Sequence, residues 1–293
     1  MRARLIVDRL ARRWQRSSYR RTLNTPYLSG DFFRSLCDAS LDDDSGARRR
    51  FRAALRTARS LFVKTDCLAE FLADHSRHAS TCRVLVTGNS DLEILEVPAG
   101  LPPQVRTWFA QNALVRSDLV QPLPIGLENQ SLGQNGVRRH FRRCTEAEVA
   151  AKRVRILASF AITTPERVNL LERLASSPCV DVFDRVSPHR FQERIREYRF
   201  VAAPRGNGVD THRLWEALYA DAIPITRRTC WSESLRAEGI PTLEIDDWEE
   251  VVSWTTDDLA RFSEAAPRRP SALPWLWADF WEQRIARLRE AGP

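Results

Sequence analysis

The sequence predicts an α/β protein made of two Rossmann-like domains, residues 1–140 and 141–293, facing each other across a cleft, with one further helix at the C-terminal end. Three observations carry this prediction. Short apolar runs alternate with helical stretches, the pattern of a parallel sheet covered by helices. The alternation occurs twice, on either side of a polar, glycine-containing stretch at 128–153 that reads as the link between domains. The second series holds a strand, a glycine turn and a capped helix in immediate succession, where open α/β sheets take their ligands.

In chain order, residues 3–14 place Leu5, Ile6, Leu10 and Trp14 near one helical face, with Arg2, Arg9, Arg12, Arg13 and Arg16 around it. Such a helix either lies in an anionic membrane surface or packs its apolar stripe on the protein. Residues 42–50 form a polar loop leading toward a helix, and the apolar run Ser60–Lys64 precedes a helical stretch through 69–74. Residues 82–87 (CRVLVT) read as a buried strand, 102–110 as a helix and 119–125 as an extended segment. Beyond the link, strands are expected at 154–160, 180–183 and 198–203, with helices at 165–175 and 188–197 between them. A loop at 204–210, a helix to Tyr219 and strands at 222–226 and 242–245 follow. The tail at 275–291 (WLWADFWEQRIARLREA) is a helix with an aromatic first turn.

Composition bounds the function. With 293 residues, 43% hydrophobic and 28% charged, the chain buries real cores and is too apolar for disorder. It has no run long enough to span a membrane and no secretory leader pattern, so a soluble or peripheral cytoplasmic protein is expected. The net charge of +7 sits in residues 1–21, which hold eight arginines and one aspartate. The rest of the chain carries as many acidic as basic side chains, which argues against a nucleic-acid-binding groove. Only Lys64 and Lys152 are lysines, a bias that fits a GC-rich bacterial coding genome. The six cysteines are scattered, without metal-ligand spacing, and are expected as reduced thiols. The five histidines show no such spacing either, so no metal and no cofactor is expected.

Chemistry concentrates in residues 198–226, YRFVAAPRGNGVDTHRLWEALYADAIPIT. Gly206 and Gly208 flank Asn207, so the backbone there turns sharply and can approach a ligand closely. Asp210 or Thr211 is placed to cap the following helix, and Arg205 and Arg213 add positive charge where an anion would lie. Arg213 and Glu216 are neighbours on one helix face, and His212 reads as an ordinary first-turn residue.

The run PRGNGxDTHRxWEALYxxxIPI resembles the donor-binding region of exostosin-like and related GT-B glycosyltransferases. FVKTD (62–66), TGNSD (87–91), WFAQN (108–112) and PIGLEN (124–129) have counterparts in similar sequences, so the resemblance spans roughly 27–250. It implies a GT-B fold, an inverting transfer, a nucleotide-sugar donor held without metal by the C-terminal domain, and an acceptor held by the N-terminal one. It implies that Arg205, Gly206, Asn207, Gly208, Asp210 and Thr211 form the phosphate and sugar loop. Arg213 would meet the diphosphate and Glu216 the ribose, with Thr163, Thr164 and Arg167 offered to the same cleft.

An inverting transfer needs a base, and cleft geometry puts it at the carboxyl end of an N-terminal strand. Asp91, Asp66 and Asp31 are the candidates, in that order. The expected partners are a UDP-linked sugar, a glycan or lipid-linked acceptor and, through residues 1–21, an anionic membrane surface, with no nucleic acid. The alternative is a non-catalytic carbohydrate-binding or scaffold protein on a decayed transferase fold.

Overall fold

The computed structural model describes residues 23–184 and 186–290, which form two five-stranded parallel sheets with helices around them. The arginine-rich segment with the Leu5, Ile6, Leu10 and Trp14 stripe lies outside the described residues.

The first lobe runs α1 (Gly30–Leu36), β1 (Ala39–Leu41), α2 (Ser45–Ala54), β2 (Ser60–Lys64), β3 (Val84–Gly88), β4 (Thr107–Ala110) and β5 (Val120–Pro122). Its strands lie in sequence order, β1-β2-β3-β4-β5, all parallel. Every crossover steps the same way, so right-handed connections all fall on one face. On that face Leu61, Val63, Leu85 and Trp108 pack with Phe51 of α2 and Phe71 of the irregular helical stretch 65–78. The other face, Phe62, Val84, Val86 and Phe109, needs a cover from elsewhere.

The second lobe runs α3 (Glu146–Ala150), β6 (Arg153–Ala158), α4 (Leu170–Ala175), β7 (Val180–Val182), α5 (Pro188–Ile195), β8 (Tyr198–Ala202), α6 (His212–Tyr219), β9 (Ile223–Arg227), α7 (Cys230–Ala237) and β10 (Leu243–Ile245). The helices α8 (Trp248–Ser253), α9 (Thr256–Ala265) and α10 (Ala278–Glu290) follow. Strand order is β10-β9-β8-β6-β7, so the chain reverses direction between β6 and β8. This is doubly wound topology with a switch point at β6/β8, and ligands enter such sheets outside the carboxyl ends of those strands.

The bare face of the first sheet is covered by α1, α10 and part of the second lobe. Phe33 of α1 and Phe109 of β4 meet the Trp281 ring edge-on at 5.1 and 5.5 Å. Trp215 and Leu218 of α6 and Trp231 and Leu235 of α7 belong to the same core. The Tyr219 hydroxyl accepts from Leu28 N (2.9 Å) and donates to Leu276 O (2.8 Å). The lobes are therefore joined by a shared apolar core.

Two expected elements differ. Residues 102–110, expected as a helix, end in β4, because TWFA is short and buried on both faces, which only a strand between β3 and β5 achieves. The helix expected at 165–175 is broken. A single turn at Pro165–Arg167 is followed by extended Val168 and by Asn169 at φ +57°, before α4 begins.

Candidate active site

A cavity of about 340 Å³ opens at the second sheet's switch point, between the loops that follow β6 and β8. Gly206, Asn207, Gly208, Asp210 and Thr211 line it from the β8–α6 loop, Arg213 and Glu216 from α6, and Thr163 and Arg167 from the β6 loop. Arg205 is the exception. Its guanidinium turns to the first lobe, 2.8 Å from Glu93 Oε1, and is not part of the lining.

The expected cap is not made as foreseen. Thr211 sits at the N-cap with no side-chain hydrogen bond, leaving the first turn of α6 open to the cavity. Asp210 instead reaches across the lobes, accepting from Ile125 N and from Trp215 Nε1, each at 2.7 Å. Burial pushes its carboxyl up to about 8, against the lowering effect of those donors. Asp210 therefore holds the lobes together beside the cavity.

Charges of both signs line the cavity: the guanidiniums of Arg167 and Arg213, the carboxylates of Asp91 and Glu216, and the buried carboxyl of Asp210. Arg213 lies over the Phe191 ring at 3.6 Å and its Nη1 pairs with Glu216 Oε2 at 2.9 Å, while its Nε is buried without a hydrogen-bond acceptor among the described residues. Arg167 has no carboxylate of its own there. It donates to Arg205 O, Ala161 O and Pro204 O at 2.8–3.0 Å and to Thr163 Oγ1 at 3.3 Å, tying the β6 loop to the β8 loop. Burial, and secondarily Arg213, lowers Arg167 to about 10, so it stays cationic at neutral pH. Two guanidiniums and an open helix N-terminus favour an anion.

A second cavity of about 410 Å³ lies at the carboxyl ends of the first sheet's strands. The sequence motifs converge on it: Lys64 and Asp66 after β2, Asn89, Ser90 and Asp91 after β3, Gln111 after β4, and Glu128 and Asn129 after β5. Amides and carboxylates share its lining with Leu92, Ile125 and Leu132, and Lys64 is already paired to Asp43 (2.6 Å) and Asp66 (3.5 Å).

The three candidate bases are not equivalent in place. Asp91 lines both cavities and accepts from Asn207 Nδ2 at 3.0 Å across the lobes. Asp66 lines only the second cavity. Asp31 lines neither; its carboxylate is held by Ser131 Oγ (3.0 Å) and Asn89 Nδ2 (3.4 Å). Sequence reasoning passed over His212, which also lines both cavities. The signal was its position at the first turn of the helix behind the glycine loop. Among the described residues no group of three or more His, Cys, Asp or Glu side chains is placed to hold a metal ion. No helix among them is long and apolar enough to cross a membrane.

No family model matches the chain, and no curated protein matches it. Among solved structures, that of AviGT4, a glycosyltransferase involved in avilamycin A biosynthesis, is similar at a TM-score of 0.37 and 13% identity, over 80% of this chain and 85% of that one. So loose a superposition decides nothing about this chain.

Proposed function

We propose that the chain is a glycosyltransferase that moves a sugar, with inversion, from a nucleoside-diphosphate donor such as a UDP-sugar to a hydroxyl of a glycan or glycolipid. One observation carries the reading. A cavity holding two guanidiniums at a helix N-terminus shares Asp91, Ile125 and His212 with a second cavity lined by amides, carboxylates and aliphatic side chains. A diphosphate would lie in the first, at the N-terminus of α6, with Arg213 turning from Glu216 to meet it. The second presents the mixture of hydrogen-bond donors and acceptors that a polyhydroxyl acceptor needs. The transferred sugar would lie at the junction.

In this mechanism the acceptor oxygen attacks the anomeric carbon while the bond to the diphosphate breaks. Arg213, the peptide N–H groups at the start of α6 and the field of Arg167 stabilise the departing charge. Glu216 is within reach of the ribose once Arg213 turns to phosphate. Residues 1–21 would hold the protein against an anionic membrane, each arginine there adding roughly 1 kcal/mol. That contribution is tested by co-sedimentation with acidic vesicles. The full chain should pellet, and a chain beginning at Thr22 should stay in solution; equal behaviour removes the membrane from the proposal.

A UDP-release assay across a panel of nucleotide sugars tests the activity. Release with at least one donor, dependent on an added glycan acceptor, is the expected result. Binding of UDP or of glycan with no turnover by any donor would instead fit a carbohydrate-binding protein on a decayed transferase fold.

A further inference from the structure

His212 opens α6, at the junction of the two cavities. Its Nδ1 lies 2.8 Å from Gly126 O. A carbonyl oxygen only accepts, so Nδ1 carries the proton and Nε2 presents a lone pair. Nε2 has no hydrogen-bond partner among the described residues. The carbonyl that fixes this tautomer is itself fixed. Gly126 has φ +65°, and a Cβ there would lie 2.3 Å from Leu28 O, so glycine is required at this close approach. The ring is thus oriented by the first lobe while its backbone belongs to the second.

Charged groups from both lobes surround the ring. It stands at the positive end of α6, next to Arg213, with Arg167 lining the same cavity and Lys64 the other. Facing acids are mostly engaged. Glu216 pairs with Arg213, Asp66 with Lys64, Asp210 bonds to Ile125 N and Trp215, and Glu128 to Asn135 and Gly136 N. Asp91 is left as the carboxylate at the junction, with one oxygen on Asn207. Near neutral pH an imidazole is intrinsically a stronger base than a carboxylate.

We propose that His212 Nε2, and not a carboxylate, takes the proton of the acceptor hydroxyl as its oxygen bonds to the anomeric carbon. This rests on the glycosyltransferase reading. The bond between the anomeric carbon and the diphosphate oxygen breaks with its electron pair on the diphosphate, and the proton stays on Nε2 until product leaves and solvent removes it. Asp91 orients the acceptor and steadies the imidazolium.

His212→Asn is the informative substitution, because the asparagine amide can donate to Gly126 O as Nδ1 does while offering no base. The expected result is a loss of turnover of roughly 10²-fold or more, with UDP affinity unchanged within about twofold. The acidic limb of kcat/KM against pH should disappear, and added imidazole should restore part of the activity of His212→Ala. A purely positional histidine would respond to neither pH nor imidazole. Nitrogen-15 shifts of the resting protein should show protonated Nδ1 and bare Nε2, a readout independent of activity. The reverse tautomer overturns the proposal, as does His212→Asn keeping turnover and its acidic limb while Asp91→Asn loses both. If the wild-type chain neither binds UDP nor turns over any donor, the glycosyltransferase reading itself falls and the base with it. An active wild type with an equally active His212→Asn removes only the base.

Discussion

Gly206 and Gly208 stand two residues apart and are glycines for different reasons. A Cβ on Gly208 would lie 2.5–2.8 Å from the side chain of Asn112. Asn112 cannot yield, since it is fully buried, accepts from Asp210 N (2.9 Å) and donates to Ser90 O (3.2 Å). A Cβ on Gly206 would meet Arg167 Nη2 at 3.4 Å, an ordinary contact. Gly208→Ala should therefore cost about 1–3 kcal/mol in urea unfolding, as overpacking does. Gly206→Ala should leave stability within about 0.5 kcal/mol and weaken UDP binding in calorimetry, because its space faces the cavity. The Gly-Asn-Gly run marked a special turn in the sequence. Nothing local could tell which glycine answers to a distant asparagine and which to a ligand. Asp210 was legible as a polar residue at a helix start, but its partner Ile125 N is on the other lobe. Its raised carboxyl gives a pH test with a definite sign. Between the ordinary carboxyl value of 3.8 and about 8 the folded chain keeps a proton that the unfolded chain loses, so this group's contribution to stability falls as pH rises through that window. Asp210→Asn has nothing to titrate. The excess melting temperature of wild type over Asp210→Asn should shrink from pH 5 to pH 8; a gap that stays constant over that window would place the carboxyl at or below its ordinary range.

At the scale of elements, sequence reading succeeded for the longer apolar runs and failed for a shorter one and for a helix broken by a tertiary contact. The strands β2 and β3 and the helix α6 announce themselves through apolar runs, glycine turns and spacing. TWFA does not, because a fully buried four-residue strand has no alternation of polar and apolar positions to distinguish it from part of a helix. The helix expected at 165–175 breaks because the loop must turn Arg167 back onto three carbonyls of neighbouring loops, a demand invisible locally. The chemistry of α6 is also an element-scale matter: its first turn brings His212, Arg213 and Glu216 to one cavity. Arg213 and Glu216 were legible in the sequence as neighbours on one helix face. The structure shows the pair inside the cavity, with side-chain exposures of 20% and 9%, stacked on Phe191 from α5. Arg213→Ala and Glu216→Ala should each weaken UDP binding by about 1–3 kcal/mol, the range of a charge-assisted hydrogen bond or a buried group left unmatched. Calorimetry at fixed salt checks this. Wild-type affinity in both variants would remove α6 from the nucleotide site.

At the scale of the molecule, the sequential strand order of the first sheet dictates how the chain must end. Crossovers on one face leave the other exposed, and a face of Phe62, Val84, Val86 and Phe109 cannot remain in water. α10 returns from the end of the second lobe to cover it, and α6 and α7 complete the same core. The sequence showed the aromatic helix but not its destination, since strand order is not written in periodicity. Two consequences separate this arrangement from a pair of independent domains. The lobes should unfold together, so fluorescence from the tryptophans and far-ultraviolet dichroism should trace coincident denaturant transitions, as a single cooperative unit requires. Trp281→Ala should cost about 3–5 kcal/mol, the usual loss for a large buried aromatic, because the ring is fully buried and meets Phe33, Phe109 and Trp275 at once. The loss should shift the whole transition to lower denaturant with one midpoint. A Trp281→Ala chain that melts in two separated steps would show that the second lobe stands without α10 on the first, and that the cavities are joined by contact at the loops alone. In that case Asp210, bonded to Ile125 N and Trp215, would be the principal clasp between them.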